Sequence, residues 1–263
     1  MDVIVCVKWV PDTSEADLAV AKGEVDIDKD DLDFDVNDWD RFAIEEAVRI
    51  KEETGGKVTA ISVAPEDAEQ MLRETLARGA DEAFLLWDES FEGSDGYVTA
   101  NILSNFIKKR PYDLILTGTQ ADDDCAGQLG GMLGAMLDVP HATLVHEVKA
   151  QDGKLNIVRE LEGGLSELLE LDLPAVISVA TGLNEPRFVS IRAVRKVAGM
   201  DIPTLGLDEV GLQEDEVGSE GAKIHVEKMF LPPVGEGAEI ITGSAEEASA
   251  RLAQILKERG GIG

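Results

Sequence analysis

Short apolar runs alternate with longer stretches of helical spacing through the first half of the chain. Four runs predict buried strands: Val3 to Val7, Lys57 to Val63, Ala83 to Trp87 and Asp113 to Thr117. Three stretches between them predict helices: Trp39 to Lys51, Pro65 to Arg78 and Ser94 to Lys109. Strands that alternate with helices pair in parallel through right-handed crossovers. The pattern therefore predicts an α/β fold with a doubly wound, mostly parallel sheet.

The pattern changes after Leu137, where three β-rich segments follow one another without helices between them. They are Ala142 to Lys149, Leu155 to Leu161 and Ser166 to Leu171. The turn Gln151-Asp152-Gly153-Lys154 predicts a hairpin, and Gly163-Gly164 predicts a second one. Ala175 to Ala180 is a buried run that rejoins the central sheet. We therefore expect an antiparallel β extension on the same α/β domain.

The last quarter of the chain predicts an arm that ends in a helix. Pro203 to Gly237 carries turn formers and acidic residues without a periodic apolar face. Ser244 to Glu258 predicts an amphipathic helix with Ser244 as its cap. We expect residues 1–202 to form the α/β domain and residues 203–263 to form the arm. Docking of the helix on its own domain and docking on a partner subunit both stay open.

Charge and composition exclude several classes of function. The chain carries 53 acidic and 24 basic side chains, a formal net charge of -29, which repels nucleic acid and anionic membrane surfaces. A salty cytoplasm and general solubility are two open explanations of this acidity. No apolar stretch approaches the roughly 20 residues that span a bilayer, so we expect a cytoplasmic protein. The two cysteines and three histidines lack metal-type spacing, which predicts no metal site.

The stretch from Asp113 to Leu137 says most about function, because a buried strand runs into an acidic loop and a glycine-rich helix start. Small residues after such a strand let a ligand come close, as in a nucleotide site. The alternative is that Asp122, Asp123 and Asp124 are helix caps and solvated charge. The phosphate-loop, zinc-protease and hydrolase motifs are missing from the sequence. His141 is not assigned a catalytic role.

Three further segments combine with this loop. They are Asn37-Asp38-Trp39-Asp40-Arg41-Phe42-Ala43-Ile44-Glu45-Glu46-Ala47, Val158-Arg159-Glu160-Leu161-Glu162-Gly163-Gly164 and Leu183-Asn184-Glu185-Pro186-Arg187-Phe188. In this order, the four motifs resemble the β (small) subunit of electron transfer flavoproteins from Val3 to the last helix. The resemblance implies a Rossmann-like fold, a heterodimer whose α subunit holds most of the FAD, and AMP in the β subunit. It also implies that dehydrogenases, such as acyl-CoA dehydrogenases, donate electrons and that a membrane quinone oxidoreductase accepts them.

The resemblance places the nucleotide shell at the carboxyl ends of neighbouring parallel strands, where doubly wound sheets bind ligands. The implied residues are Cys6, Asn37, Trp39, Asp40, Val63, Gly118, Thr119, Gln120, Asp123, Asp124, Cys125, Ala126, Gly127, Gln128 and Leu129. Backbone N–H groups from Cys125 to Gln128 are expected to face the phosphate at a helix start. Because adjacent aspartates repel a phosphate, we expect Asp123 to accept from ribose or backbone groups, Asp122 to face water and Asp124 to cap the helix.

Departures from the family pattern bear on the type of electron transfer. Asn37-Asp38-Trp39 replaces an Asn-Pro motif, so a charge stands in place of a rigid proline. Electron-bifurcating members, which bind a second FAD instead of AMP, have an Asp-Thr pair where this chain has Asp124-Cys125. The AMP type is therefore predicted, and the chain is then an electron carrier rather than an enzyme. Phe91-Glu92-Gly93-Ser94-Asp95 is similar to bifurcating members, so a β subunit with its own FAD that oxidises NADH stays an alternative. A stand-alone adenine-nucleotide sensor is another.

A basic cluster near residue 190 is conspicuous in so acidic a chain. It consists of Arg187, Arg192, Arg195 and Lys196 around Ile191. By resemblance this is the recognition loop, in which Ile191 anchors a partner dehydrogenase. The alternative is that Ile191 belongs to the core and the basic residues form a solvated face. Arg187 is a candidate for a partner-facing or flavin-facing charge, and a salt bridge to Glu185 or Glu160 is the other candidate role.

Overall fold

A computed structural model describes residues 1–14, 16–151, 153–233, 235 and 237–261. The strands are β1 (Val3–Cys6), β2 (Trp9–Pro11), β3 (Phe34–Val36), β4 (Val58–Val63), β5 (Glu82–Leu86), β6 (Leu114–Gly118), β7 (His141–Gln151), β8 (Lys154–Leu161), β9 (Leu165–Asp172), β10 (Ala175–Val179) and β11 (Thr204–Leu205). The helices are α1 (Asp38–Thr54), α2 (Glu69–Arg78), α3 (Gly96–Ile107), α4 (Leu129–Leu137), α5 (Ile191–Val197), α6 (Leu207–Val210), α7 (Gly218–Gly221) and α8 (Ala245–Glu258).

The main sheet confirms the predicted doubly wound architecture. It has nine strands in the order β11-β5-β4-β1-β6-β10-β7-β8-β9. From β11 to β7, each pair of adjacent strands is parallel. From β1, the chain winds to β4 on one side and later to β6 on the other. The topological switch point therefore lies between β1 and β6, where ligands bind in such sheets.

The antiparallel extension is also present. β8 pairs antiparallel with β7 and with β9, and β10 lies between β6 and β7. The apolar run at Ala175 thus rejoins the central sheet, as its sequence indicates. In the predicted hairpin turn, Asp152 lies outside the described residues. A second small sheet joins β2 to β3, where the rings of Trp9 and Phe34 stack with their centroids 4.1 Å apart.

Two apolar layers cover the faces of the parallel sheet, because successive residues of a strand point to opposite faces. Val3 and Val5 of β1 pack with helices α1, α2 and α5. Ile4 and Cys6 of the same strand pack with α3, α4 and α6. All four residues of β1 are buried, which is typical of a central parallel strand. This buried centre positions the ends of β1 and β6.

The packing of residues 203–222 differs from the predicted extended arm. β11 pairs with β5 in the main sheet, and Val210, Leu212 and Val217 are buried in the core. These contacts are made with residues more than a hundred positions earlier, so no local apolar period marks them. The described residues from Lys223 onward are largely exposed. The division between a domain and an arm stays a prediction, and the packing moves its boundary to about residue 222.

Helix α8 begins as its sequence indicates. The Ser244 hydroxyl accepts from the Glu247 backbone N–H at 3.3 Å, and the Glu247 carboxylate accepts from the Ser244 N–H at 2.9 Å. This reciprocal pair satisfies two donors that a helix start leaves free. None of the helix residues is buried. Among the described residues, no helix is long and apolar enough to cross a membrane.

Candidate functional site

The carboxylate of Asp40 joins the ends of β1 and β6 at the switch point. Its Oδ1 accepts from the Gly118 N–H and its Oδ2 accepts from the Lys8 N–H, both at 2.8 Å. The residue is only 5% exposed. Burial raises the pKa of Asp40 to about 6, even though both backbone donors and the Lys8 charge act to lower it. Asp40 therefore holds together the two loops that line the crevice.

Asn37 makes a second connection to the same loop. Its Nδ2 donates to the Gln120 carbonyl at 2.9 Å, and its Oδ1 accepts from the Asp122 N–H at 3.1 Å. Asn37 is buried, so both ends of its amide are committed to the protein backbone. The motif that opens α1 thus shapes the 118–129 loop rather than offering free side chains to a ligand.

Lys8 neutralises part of the acidic loop. Its Nζ donates to Asp123 Oδ1 at 2.6 Å and to Asp124 Oδ2 at 3.0 Å. Burial acts to lower the pKa of Lys8, but the two carboxylates outweigh burial and raise it. Burial likewise acts to raise the pKa of Asp124, while the Ala126 N–H and Lys8 lower it. One ammonium group thus offsets part of the negative charge of Asp123 and Asp124.

The predicted roles of the three aspartates are in part wrong. Asp124 does not cap α4, since its Oδ1 accepts from the Ala126 N–H, three residues before the helix begins. Asp123 accepts from a lysine side chain rather than from backbone. Asp122 is exposed, as predicted, yet its carboxylate also accepts from the Asp38 N–H at 3.0 Å. A contact with ribose stays a prediction.

The start of α4 supplies the free donors. The Cys125 N–H donates to the Ala121 carbonyl, and the Ala126 N–H donates to Asp124. The prediction that these two N–H groups face a phosphate is therefore wrong. Among the described residues, the N–H groups from Gly127 to Gly131 have no protein acceptor. Helix starts leave such donors free and favour negative charge. The available donors therefore lie slightly later than predicted.

Two glycines are required here by close packing. A Cβ on Gly118 would lie 2.5 Å from Asp40 Oδ1 and 2.7 Å from Trp39 Cβ. A Cβ on Gly130 would lie 1.9 Å from the Oγ of Ser178 on β10. The glycine-rich pattern therefore brings α1 and α4 against the ends of the strands, in addition to leaving room for a ligand.

The remaining predicted shell residues lie along the same edge. Cys6 ends β1 and is buried, and burial together with the Asp40 charge raises the pKa of its thiol. Val63 ends β4 and is half-buried, as is Trp39 on α1. Thr119 is tied to β10, since both its N–H and its hydroxyl donate to the Val179 carbonyl. Cys125, Ala126, Gly127 and Gln128 are exposed, and Leu129 is half-buried.

The basic segment, residues 184–200, contacts α1 and α2. The Arg187 guanidinium is paired with Glu45 at 2.9 Å and with Glu52 at 2.8 Å. Burial acts to raise the pKa of Glu45, but the hydrogen bonds and charge of Arg187 lower it. The salt-bridge role of Arg187 is therefore observed, with partners on α1 instead of the predicted Glu185 or Glu160.

The basic segment presents apolar side chains to solvent at the start of α5 and just before it. Ile191, the first residue of α5, is 73% exposed, and Phe188 is 93% exposed. Ile191 is therefore not a core residue. Arg192, Arg195 and Lys196 are exposed around it, and Val197 is the buried residue of the helix. The segment combines exposed apolar and positively charged groups on a strongly acidic chain.

The Phe91–Asp95 motif has a packing role. Asp95 caps α3 by accepting from the Val98 N–H at 2.9 Å, and it also accepts from the N–H groups of Lys223 and Ile224. The Ser94 hydroxyl accepts from the Gly218 N–H. These contacts hold the start of the C-terminal segment, residues 223–261, next to the start of α3.

Four residues for which the sequence predicts no role contribute to the 118–129 loop or to the basic segment: Lys8, Glu45, Arg73 and Arg78. Lys8 was in principle detectable, because a cation directly follows the first strand and so lies at the same sheet edge as the acidic loop. The contacts of Arg73 and Arg78 with the basic segment join residues more than a hundred positions apart. In the sequence, the spacing of these two arginines is typical of the solvent-exposed face of a helix.

Comparison with known proteins agrees with the geometry over most of the chain. Residues 25–209 match the family model described as the electron transfer flavoprotein domain. The chain is 36% identical over 262 residues to the electron transfer flavoprotein subunit beta of Methylophilus methylotrophus, covering 98% of each chain. It is 37% identical over 261 residues to the protein of that name from Thermoanaerobacterium thermosaccharolyticum, covering 98% of this chain and 99% of the relative. It is also 34% identical over 262 residues to the caffeyl-CoA reductase-Etf complex subunit CarD of Acetobacterium woodii, with 98% and 99% covered.

Proposed function

Because the chain belongs to the β-subunit family of electron transfer flavoproteins, we propose that it is the small subunit of a heterodimer that carries electrons from dehydrogenases to a quinone oxidoreductase or a similar acceptor. Similarity along almost its whole length to proteins named as beta subunits carries this proposal. FAD, held mainly by the α subunit, supplies the electron-carrying chemistry when bound. The residues of this chain then help to bind and orient the FAD and to shield it from solvent. The cytoplasmic location stays a prediction, which cell fractionation tests.

We propose that AMP binds between the β1 and β6 ends, against the 118–129 loop. The free N–H groups from Gly127 onward suit the phosphate, because a helix start attracts anions. Lys8 leaves the loop less negative than its sequence suggests, which lowers the repulsion of a phosphate. Asp40 and Asn37 position this loop through its backbone. The predicted shell residues therefore divide into those that shape the site and those that remain free to contact the nucleotide.

A second FAD in place of AMP is the alternative, and ligand content decides between them. The chain is co-expressed with its α subunit, the heterodimer is denatured, and the released ligands are quantified by mass spectrometry. One FAD and one AMP per heterodimer are expected. Two FAD molecules without AMP would establish the bifurcating type, and a heterodimer with one FAD and no adenine nucleotide would contradict a nucleotide site in this subunit. Folded β subunit that binds nucleotide without any α subunit would favour the stand-alone sensor.

We propose that the basic segment recognises the electron donor, with Ile191 as its apolar anchor and Arg192, Arg195 and Lys196 as charged surroundings. Exposed aliphatic side chains that become buried on binding can contribute about 2 kcal/mol, roughly a 30-fold change in affinity. Arg187 supports the segment through its pairs with α1 and is not expected to contact the donor.

Ile191→Ala tests this role. An acyl-CoA dehydrogenase that reduces the wild-type heterodimer serves as the electron donor. Its Michaelis constant for the heterodimer should be roughly 30-fold higher with the variant than with the wild type, as for a hot-spot side chain. The melting temperature should stay the same, because the side chain is exposed in the free chain. Val25→Ala, which shortens another exposed aliphatic residue, is the matched control. An unchanged Michaelis constant would remove Ile191 as the anchor.

A further inference from the structure

The basic segment is held to the main domain chiefly by side chains of α1 and α2. Asn184 Nδ2 donates to the Phe42 carbonyl and to Glu46, each at 3.0 Å. The Arg187 N–H donates to Glu45 Oε2 at 2.9 Å. Between these contacts and the buried Val197, the chain presents Phe188 and Ile191 to solvent. The position of both exposed side chains thus depends on how the two ends of residues 188–197 are fixed.

Arg73 of α2 fixes the later end. Its Nη1 donates to the carbonyl oxygens of Val197 at 3.0 Å, Ala198 at 3.2 Å and Met200 at 3.1 Å. These carbonyls lie at and just beyond the end of α5, where a helix leaves acceptors unpaired and where a positive charge is favourable. A helix of seven residues is too short to be stable by itself. Arg73 therefore completes α5 from outside.

Arg78, the last residue of α2, fixes the earlier end. Its Nη1 donates to the Arg187 carbonyl at 2.9 Å, directly before Phe188, and its Nη2 donates to Glu74 at 2.6 Å. The Arg78 side chain is only 11% exposed. Arg73 is similarly oriented by a hydrogen bond to Glu69. Each arginine is thus held by a glutamate of its own helix, one turn earlier, with another N–H group directed at the basic segment.

An anion site is the competing explanation of this cluster. A groove of about 560 Å³ lies between α2 and the basic segment, and Arg41, Arg73, Arg78 and Arg187 line it. All four are already paired with carboxylates: Arg41 with Asp35, Asp38 and Glu74, Arg73 with Glu69, Arg78 with Glu74, and Arg187 with Glu45 and Glu52. The paired acids leave no net positive charge for a free anion. The donors directed at backbone carbonyls favour a positioning role.

We propose that Arg73 and Arg78 are positioning residues that clamp residues 188–197 onto α2 and so preset Phe188 and Ile191 for docking to the apolar surface of an electron-donating dehydrogenase. A segment ordered before binding does not lose that conformational entropy on association. The inference rests on the proposed recognition function of the basic segment. It adds that two arginines of α2 raise the affinity of the heterodimer for the donor without contacting the donor.

Two measurements on the purified heterodimer test the clamp. Hydrogen exchange of amides 188–197 should accelerate at least tenfold in Arg73→Gln and Arg78→Gln, while amides of α1 keep their protection. With an acyl-CoA dehydrogenase that reduces the wild type, the Michaelis constant should rise about tenfold, or about 1.4 kcal/mol, with kcat unchanged. Lys57→Gln, which removes an ion pair to Glu82 that does not involve the basic segment, should change neither. If either glutamine variant does not fold, Arg73→Lys and Arg78→Lys keep the charge and lose the planar fork.

The outcomes separate the clamp from the recognition function. If Ile191→Ala raises the Michaelis constant but the arginine variants change neither exchange nor that constant, the clamp is wrong and the recognition function stands. If exchange accelerates while the Michaelis constant stays constant in the arginine variants, presetting is unimportant and the inference fails. If Ile191→Ala and Phe188→Ala both leave the Michaelis constant unchanged, the recognition function itself is wrong. The inference that the clamp presets this segment for the donor then fails with it.

Discussion

Asp40 is a buried carboxylate that accepts hydrogen bonds from the backbone of two loops. At the residue scale, the same side chain that the family resemblance assigns to the nucleotide shell accepts from Lys8 and Gly118 N–H groups and is nearly inaccessible. Asn37 behaves in the same way toward Gln120 and Asp122. Sequence similarity can thus identify a site residue without distinguishing contact with the ligand from positioning of the loop that makes that contact.

The raised pKa of Asp40 predicts a specific pH dependence. The folded chain retains the Asp40 proton up to a pKa of about 6, whereas the ordinary value is 3.8. The corresponding stabilisation is fully present below pH 3.8 and is lost as pH rises through 6. The free energy of unfolding of the wild type, relative to Asp40→Asn, should therefore fall by about 3 kcal/mol between these values and then level off.

Denaturant unfolding of both chains at several pH values measures this difference. The comparison with Asp40→Asn cancels the other titrating groups, which the two chains share. Asp17→Asn, at an exposed position, controls for the removal of one negative charge. A difference that increases between pH 4 and 6 would show that the two backbone donors outweigh burial.

At the scale of elements, the sequence predicts those parts that have a local period. The helices α1, α2, α3 and α8 and the long parallel strands follow from apolar spacing, and the capping box of α8 follows from Ser244 and Glu247. Strands β2, β3 and β11 have three residues or fewer and are stabilised by partners far along the chain. Trp9, for example, stacks on Phe34. Such contacts leave no periodic signal, so neither these strands nor the packing of residues 203–222 could be predicted.

The contact between α4 and β10 gives a prediction at this scale. A methyl group at position 130 would overlap the Ser178 hydroxyl, which lies 2.9 Å from Thr117 Oγ1 in a buried hydrogen bond. Gly130→Ala should therefore reduce the free energy of unfolding by about 1 to 3 kcal/mol, as overpacking does. Gly131→Ala is the matched control, because its nearest neighbour would be 3.9 Å away and alanine favours a helix.

A double-mutant cycle checks the physical reason for that loss. Ser178→Ala removes the atom that a Cβ at position 130 would meet at 1.9 Å. The Gly130→Ala/Ser178→Ala chain should therefore lose less unfolding free energy than the sum of the losses in the two single variants. Denaturant unfolding measures all three losses. Additive losses would mean that another neighbour, such as Thr117, limits the approach of α4 to the sheet.

At the scale of the whole molecule, most exposed apolar residues lie in three places: the β8–β9 hairpin, the basic segment, and the C-terminal segment, residues 223–261. The C-terminal segment includes Ile224, Phe230, Leu231, Ile240 and Leu252, all half or more exposed. A clustered set of exposed apolar side chains marks an interaction surface. The main domain is complete without them, since β11, α6 and α7 already close its edge. This arrangement favours docking of the C-terminal segment on the α subunit.

Truncation after Ile224 tests that assignment and keeps the Lys223 and Ile224 contacts with Asp95. Since no residue of α8 is buried, the isolated truncated chain should lose less than about 1 kcal/mol, or roughly 2–4 °C in melting temperature. Co-purification with a tagged α subunit should be lost or greatly weakened, because the exposed apolar surface of the segment is removed. Leu252→Ser/Leu256→Ser in the full chain should reproduce part of the loss, and Gln254→Ser should not. A large drop in melting temperature with unchanged co-purification would place the helix on its own domain instead.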